Sequence, residues 1–89
     1  MPTKKILVKG IVQGVFYRAG AKAMADTIGI TGWVKNTIIG DVELRVTGSN
    51  EQLDHFINWC QQGSARAVVT DVIVFDEPET EFEGFRVIK

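Results

Sequence analysis

The sequence holds a single cysteine and a single histidine, and each scarcity removes a class of chemistry. Cys60 alone cannot make an internal disulfide, a CxxC redox pair or a cysteine-based zinc site. His55 alone excludes multi-histidine metal sites and leaves at most one imidazole for acid–base work. No excess of positive charge is present either. Lys and Arg total 10 against 11 Asp and Glu, so the net charge is −1, which argues against a nucleic-acid binder that relies on a strong basic field. Long apolar runs are also missing. Ile6–Val8 ends at Lys9, too short for a secretory signal. The longest run, Val72–Phe75, is far too short to cross a bilayer. The expectation is a cytoplasmic monomer with no metal or other cofactor, and with no nucleic-acid or membrane partner.

What remains is one modest domain. The 89 residues suit a single unit over 1–89, which buries somewhat over ~60 % of its unfolded surface. No linker, low-complexity tract or internal repeat interrupts it. Lys4–Val12 reads as a strand with Ile6 and Val8 on one face and Lys5 and Lys9 on the other. Gln13–Arg18 breaks the alternation and reads as a loop. From Ala19 to Ile28 the period becomes helical, with Ala21, Met24, Ala25 and Ile28 on one stripe and Gly29 as the left-handed stop. Ile30–Asn36 and Asp41–Thr47 read as strands joined by a turn through Gly40. Ser49 with Gln52 is a capping-box signature. It opens a helix with a Leu53, Phe56, Ile57, Cys60 stripe, stopped at Gly63. Val68–Phe75 is a β-branched run, Asp76–Glu81 an acidic loop, and Phe82–Ile88 a last short strand.

The order is β-α-β-β-α-β with a small extra strand. Two striped helices and a sheet with one charged face predict a two-layer α+β sandwich, the ferredoxin-like arrangement. Its sheet is antiparallel and both helices lie on one face. The first two helix-linked strands then run parallel through a right-handed crossover. Their C-terminal ends share one edge of the sheet, which brings the Gln13–Arg18 loop near Asn36.

The segment richest in chemical meaning is Gly10-Ile11-Val12-Gln13-Gly14-Val15-Phe16-Tyr17-Arg18. A loop that leaves a strand and enters a helix can turn backbone N–H groups inward, and the helix dipole adds to the anion cradle they form. Gly10 and Gly14 permit the dihedrals this needs. Arg18 adds a two-pronged guanidinium suited to phosphate oxygens. The G-x-x-x-x-G-K-[ST] spacing of nucleotide loops is absent. Glycine spacing alone favours a plain strand-to-helix turn over a cradle.

The same segment resembles the G-x-V-Q-G-V-x-F-R signature of the acylphosphatases. Gly29 together with Ile30-Thr31-Gly32-Trp33-Val34-Lys35-Asn36 is similar to their second signature, G-x-x-G-W-V-x-N. The following Gly40, Val42 and Glu43 fit the G-x-V-E pattern, and the Phe85-Arg86-Val87 region agrees. The resemblance spans essentially the whole chain. It implies hydrolysis of a small-molecule acyl phosphate to a carboxylate and inorganic phosphate, with phosphate or sulfate as competing anions. It implies further that Arg18 binds the phosphoryl group and that Asn36 orients the attacking water. Gln13, Gly14, Val15, Phe16 and Tyr17 would supply the backbone cradle, again with Arg18. Three positions in the first motif depart from the family pattern, and a pair in the hairpin does as well. Ile11 stands where many members carry a basic residue, which weakens long-range attraction of anions. Phe16 is bulkier than usual, which bears on access to the cradle. Tyr17 replaces the usual Phe, a change expected to alter little. The Ile38-Ile39 pair replaces more polar turn residues.

The implied chemistry suits these residues. A carboxylate leaving group has a conjugate-acid pKa of about 4 and departs without a general acid. Phosphoryl transfer needs positioning and charge stabilisation above all. Elsewhere the plain readings prevail. His55 is expected to be solvated, Cys60 to be a small core hydrophobe, and Trp33 a partly buried packing residue. Asp76, Glu77, Glu79 and Glu81 form a solvated loop without calcium-loop spacing. Lys35 is placed to attract anions toward the cradle. The rival classes are an RNA-binding module and a non-catalytic anion sensor of the same fold. Lys5, Leu7 and Lys9 with Glu43, Arg45 and Thr47 offer no base-stacking platform, and Arg18 together with Asn36 speaks against the sensor.

Overall fold

The computed structural model describes residues 1–89. Strand β1 covers Thr3–Ile11, helix α1 Tyr17–Ile28, β2 Thr31–Asn36 and β3 Val42–Thr47. Helix α2 covers Asn50–Gln62, β4 Val68–Glu77 and β5 Phe85–Ile88. The strands make one sheet in the order β4-β1-β3-β2-β5. β1 pairs antiparallel with β3 and β4, and β2 antiparallel with β3. The short fifth strand lies parallel to β2, so the ferredoxin-like antiparallel sheet is extended into a mixed one.

Alternation along the strands decides which face is buried. Ile6, Val8, Val34, Val42, Leu44 and Val46 join Ala21, Ala25, Leu53, Phe56 and Cys60 in one core, so both helices cover the same face. Aromatic contacts brace the layer. Tyr17 packs on Trp59 at 5.1 Å between ring centroids, and Phe56 packs on Phe85 at 6.0 Å. These contacts fix the start of α1 and the strand β5 against α2.

Helix ends follow local chemistry. Ser49 Oγ accepts from Gln52 N at 3.1 Å while Gln52 Oε1 accepts from Ser49 N at 2.8 Å, the reciprocal cap expected at α2. Gly29, at φ 96°, ends α1. Helix α1 begins at Tyr17, two residues before the expected start. Its Ncap is Phe16, so Tyr17 and Arg18 lie in the first turn.

The open face differs from expectation at Thr47, which is buried. Its hydroxyl meets that of Thr3 at 2.6 Å and donates to the Thr80 carbonyl at 2.8 Å. The Thr80 amide donates to Thr3 Oγ1 at 2.9 Å. The segment between β4 and β5 is thereby pinned over the open face. Sequence alternation cannot anticipate a loop folding back over a polar face.

Candidate active site

The cradle begins with a break in register. β1 and β4 slip between Lys9 and Gly10, and Gly10 adopts φ 125°. A Cβ at Gly10 would stand 2.1 Å from the Val68 carbonyl oxygen. Only glycine lets the two backbones approach this closely. Gly14 needs its freedom for a different reason: φ is 74° and the space beside it is open. Phe16 follows at φ 63°, ψ 24°. A bulky residue in the left-handed region costs roughly 1–2 kcal/mol.

This turn delivers the chain into α1 with its first amides uncovered. The earliest intrahelical bond shown at this end runs from Gly20 N to Phe16 O at 3.0 Å. No side chain caps the start of α1 and no acidic residue occupies its first turn, in contrast to the reciprocal cap on α2. Unsatisfied N–H groups with the positive end of the helix dipole favour an anion.

Arg18 and Asn36 open onto the same cavity, of about 320 Å³, lined also by Val12, Gly14, Phe16, Tyr17, Ala19 and Val87. Helix α1 supplies the arginine and the C-terminal end of β2 supplies the asparagine, which the expected crossover brings together. Arg18 Nη1 donates to the Ile88 carbonyl at 2.9 Å. One donor is thus anchored on β5, and the guanidinium keeps others for an anion. Asn36 Oδ1 is buried and has no partner within the chain. An orphaned buried acceptor costs on the order of 1–3 kcal/mol, and a water or ligand in the cavity relieves that cost.

The remaining cradle residues divide. Gly14, Phe16 and Tyr17 line the cavity; Gln13 and Val15 are not among its lining residues. Gln13 Nε2 instead donates to the carbonyls of Thr37 and Asp41, each at 2.8 Å. Asp41 Oδ2 receives Lys9 Nζ at 2.8 Å. Gln13 therefore ties the cradle loop to the turn that follows Asn36. Val15 packs against the core and its carbonyl accepts from Ser64 Oγ at 2.6 Å. Tyr17 is buried, and its hydroxyl donates to the Cys60 carbonyl at 2.8 Å. That carbonyl lies in the last turn of α2, where helix geometry leaves acceptors unpaired. The hydroxyl that distinguishes Tyr17 from Phe thus has a structural task, contrary to expectation. Burial pushes the Tyr17 phenol well above its ordinary range and the Cys60 thiol up to about 12.

The other expectations fall on either side. His55 is exposed, Cys60 fully buried, and Trp33 half-buried. Lys35 does not line the cavity; its Nζ stands 5.2 Å over the Trp33 ring. No group of three or more His, Cys, Asp or Glu gathers at a spacing that could hold a metal. No helix is long and apolar enough to cross a membrane. Sequence reasoning missed the Ile88 carbonyl and Ser64. Every residue has a carbonyl, so no pattern could mark the first.

The acylphosphatase family model matches residues 4–87. The chain belongs to the acylphosphatase family. A Marinobacter nauticus acylphosphatase is 45 % identical over 82 residues, covering 91 % of this chain and 89 % of that protein. A Methylococcus capsulatus acylphosphatase is 44 % identical over 85 residues, covering 94 % and 92 %. The crystal structure of acylphosphatase from Bacillus subtilis superposes with a TM-score of 0.96 at 33 % identity, with full coverage of both chains. Acylphosphatases hydrolyse acyl phosphates, and as a member of the family this chain is an enzyme of that class.

Proposed function

We propose that the chain cleaves the carboxyl–phosphate bond with Arg18 and the cradle amides holding the phosphoryl group and Asn36 holding the attacking water. The observation that carries this reading is that Arg18 and Asn36 face one cavity at the uncapped start of α1. In that arrangement the N–H groups and the guanidinium meet charge on the equatorial oxygens. The Asn36 carboxamide, with an acceptor oxygen free of intramolecular partners, orients a water in line with the bond to be broken. The water oxygen attacks phosphorus, and the P–O bond to the acyl group breaks with its electron pair. The carboxylate leaves as an anion, and the water's proton passes to a phosphate oxygen or to bulk water. No general acid is needed, because a carboxylate is a stable leaving group.

The product occupies the same cradle as the substrate's phosphoryl group, so inorganic phosphate and sulfate are competitive inhibitors on this reading. The test couples turnover to binding. Acetyl phosphate and benzoyl phosphate hydrolysis is measured on the parent chain, and the backbone amides are followed by NMR as phosphate is added. Hydrolysis, with the largest shifts between Gly14 and Arg18, is the expected result. Largest shifts on the sheet face carrying Glu43 and Arg45 would refute the cradle assignment.

A further inference from the structure

Several apolar side chains at the cradle end of the molecule stand in solvent: Ile11 is 61 % exposed, Phe16 72 % and Ile39 81 %, and Ile38 is fully exposed. Of these, only Phe16 lines the cavity shared by Arg18 and Asn36. Ile38 and Ile39 line an adjoining hollow on the β2–β3 turn, with Lys35, Asn36, Thr37 and Glu43; it shares Asn36 with the cavity but not Arg18 or Phe16. Phe16 also sits at φ 63°, a conformation that Gly or Asn adopts readily and a large side chain does not. Backbone outliers of this kind concentrate where function holds them in place.

The cavity has two walls. Asn36 and Val87 come from the ends of the paired strands β2 and β5; Val12, Gly14, Phe16, Tyr17, Arg18 and Ala19 come from the cradle loop and the first turn of α1. The cradle amides and Arg18 hold the phosphoryl group, so the acyl group extends from them along the open part of the cavity, where Phe16 is the exposed side chain. Once Arg18 and the cradle amides are committed to the phosphoryl group, the exposed side chains left on the loop and the first turn are Phe16 and Ala19, both apolar. The Tyr17 hydroxyl is already donated to the Cys60 carbonyl. Nothing there pairs with a polar or charged acyl group.

Resting on the function proposed above, we infer that Phe16 is the specificity-determining residue for the acyl group, its ring being what discriminates flat, apolar acyl groups from short or charged ones. The exposed ring stacks on the acyl group, as aromatic pairs do in offset or edge-to-face contact. A short acyl group does not reach it, and an anionic one is left without a partner.

The test compares kcat/KM for benzoyl phosphate with that for acetyl phosphate. Both substrates share the phosphoryl group, so a change in the cradle itself cancels in the ratio. Phe16→Asn accepts the left-handed backbone and removes the ring; the benzoyl-to-acetyl ratio is expected to fall about tenfold. Phe16→Tyr keeps the ring and is expected to keep the ratio. Ile38→Ser with Ile39→Ser is expected to leave the ratio within twofold of the parent. A ratio unchanged in Phe16→Asn, or one that follows the isoleucine pair instead, overturns the inference while leaving acyl-phosphate hydrolysis intact. Failure of the parent to hydrolyse either substrate overturns the proposed function and this inference with it.

Discussion

On the proposed mechanism Arg18 touches the phosphoryl group in the bound substrate and in the transition state alike. Arg18→Gln is therefore expected to weaken phosphate binding and to lower kcat by about a thousandfold together. Arg18→Lys should restore little, because a point charge cannot replace a two-pronged contact that is also anchored on the Ile88 carbonyl. On the same mechanism Asn36 holds only the water. Asn36→Ala is expected to bind phosphate nearly as tightly as the parent while kcat falls about a hundredfold or more, the pattern of a contact made chiefly in the transition state. Thermal unfolding of each variant comes first. The unpartnered Asn36 Oδ1 predicts no loss of stability, so a folded Asn36→Ala with near-parental turnover would refute the water-positioning role. Both residues were legible in the sequence because each lies inside a spaced motif. Their meeting needed the crossover, which places two strand ends at one edge.

Elements hold these residues in place, and Gln13 is where two elements join. Its amide bridges the carbonyls of Thr37 and Asp41, one residue beyond Asn36 on one side and at the entry to β3 on the other. Gln13→Leu removes both bonds and leaves the carbonyls to local partners, at a cost of about 1–3 kcal/mol. Because the turn next to Asn36 loosens, kcat is expected to fall about tenfold with a smaller change in phosphate affinity; the converse pattern, affinity lost with kcat kept, would assign Gln13 to the anion itself. The motif marked Gln13 as part of the cradle, but not that its side chain turns away from the cavity. Motif position reports that a residue matters, while side-chain direction depends on partners brought in from distant segments.

The same limit explains other differences. The period of α1 was clear, yet its start shifted to Tyr17 because Phe16 enters the left-handed region, a state that residue preferences disfavour. Helix α2 matched closely because Ser49 and Gln52 encode their own cap. Phe82–Ile88 reads as a last short strand and forms one over Phe85–Ile88, but its parallel seat beside β2 depends on which sheet edge is free. Thr3, Thr47 and Thr80 lie far apart in sequence and make one buried network. Alternation alone assigns Thr47 to solvent.

At the scale of the whole molecule, metal and pH make two further tests. No cluster of metal-ligating side chains is assembled by the fold, and the proposed chemistry draws its positive charge from Arg18 and amides. Turnover is expected to survive exhaustive chelation unchanged; activity that disappears and returns with magnesium would contradict this.

Alkaline stability follows from the contact between α1 and α2. Tyr17 and Cys60 are buried, and burial raises both acids, the thiol from 9.0 to about 12 and the phenol far above its ordinary 10.0. An acid whose folded pKa is raised contributes its full stability below the unfolded value and loses it as pH climbs toward the folded one. Above pH 9 the unfolded chain releases the Cys60 proton that the folded chain retains, and above pH 10 it releases the Tyr17 proton as well. Each group lowers the unfolding free energy by up to about 1.4 kcal/mol per pH unit in its window. The thiol's share stops growing near pH 12, where the folded state ionises too. Urea unfolding at pH 7.5, 9.5 and 10.5 should therefore give falling midpoints, with Cys60→Ala showing a shallower decline between the first two. If Cys60→Ala and the parent decline in parallel between the first two pH values, the buried thiol is not a source of the alkaline sensitivity.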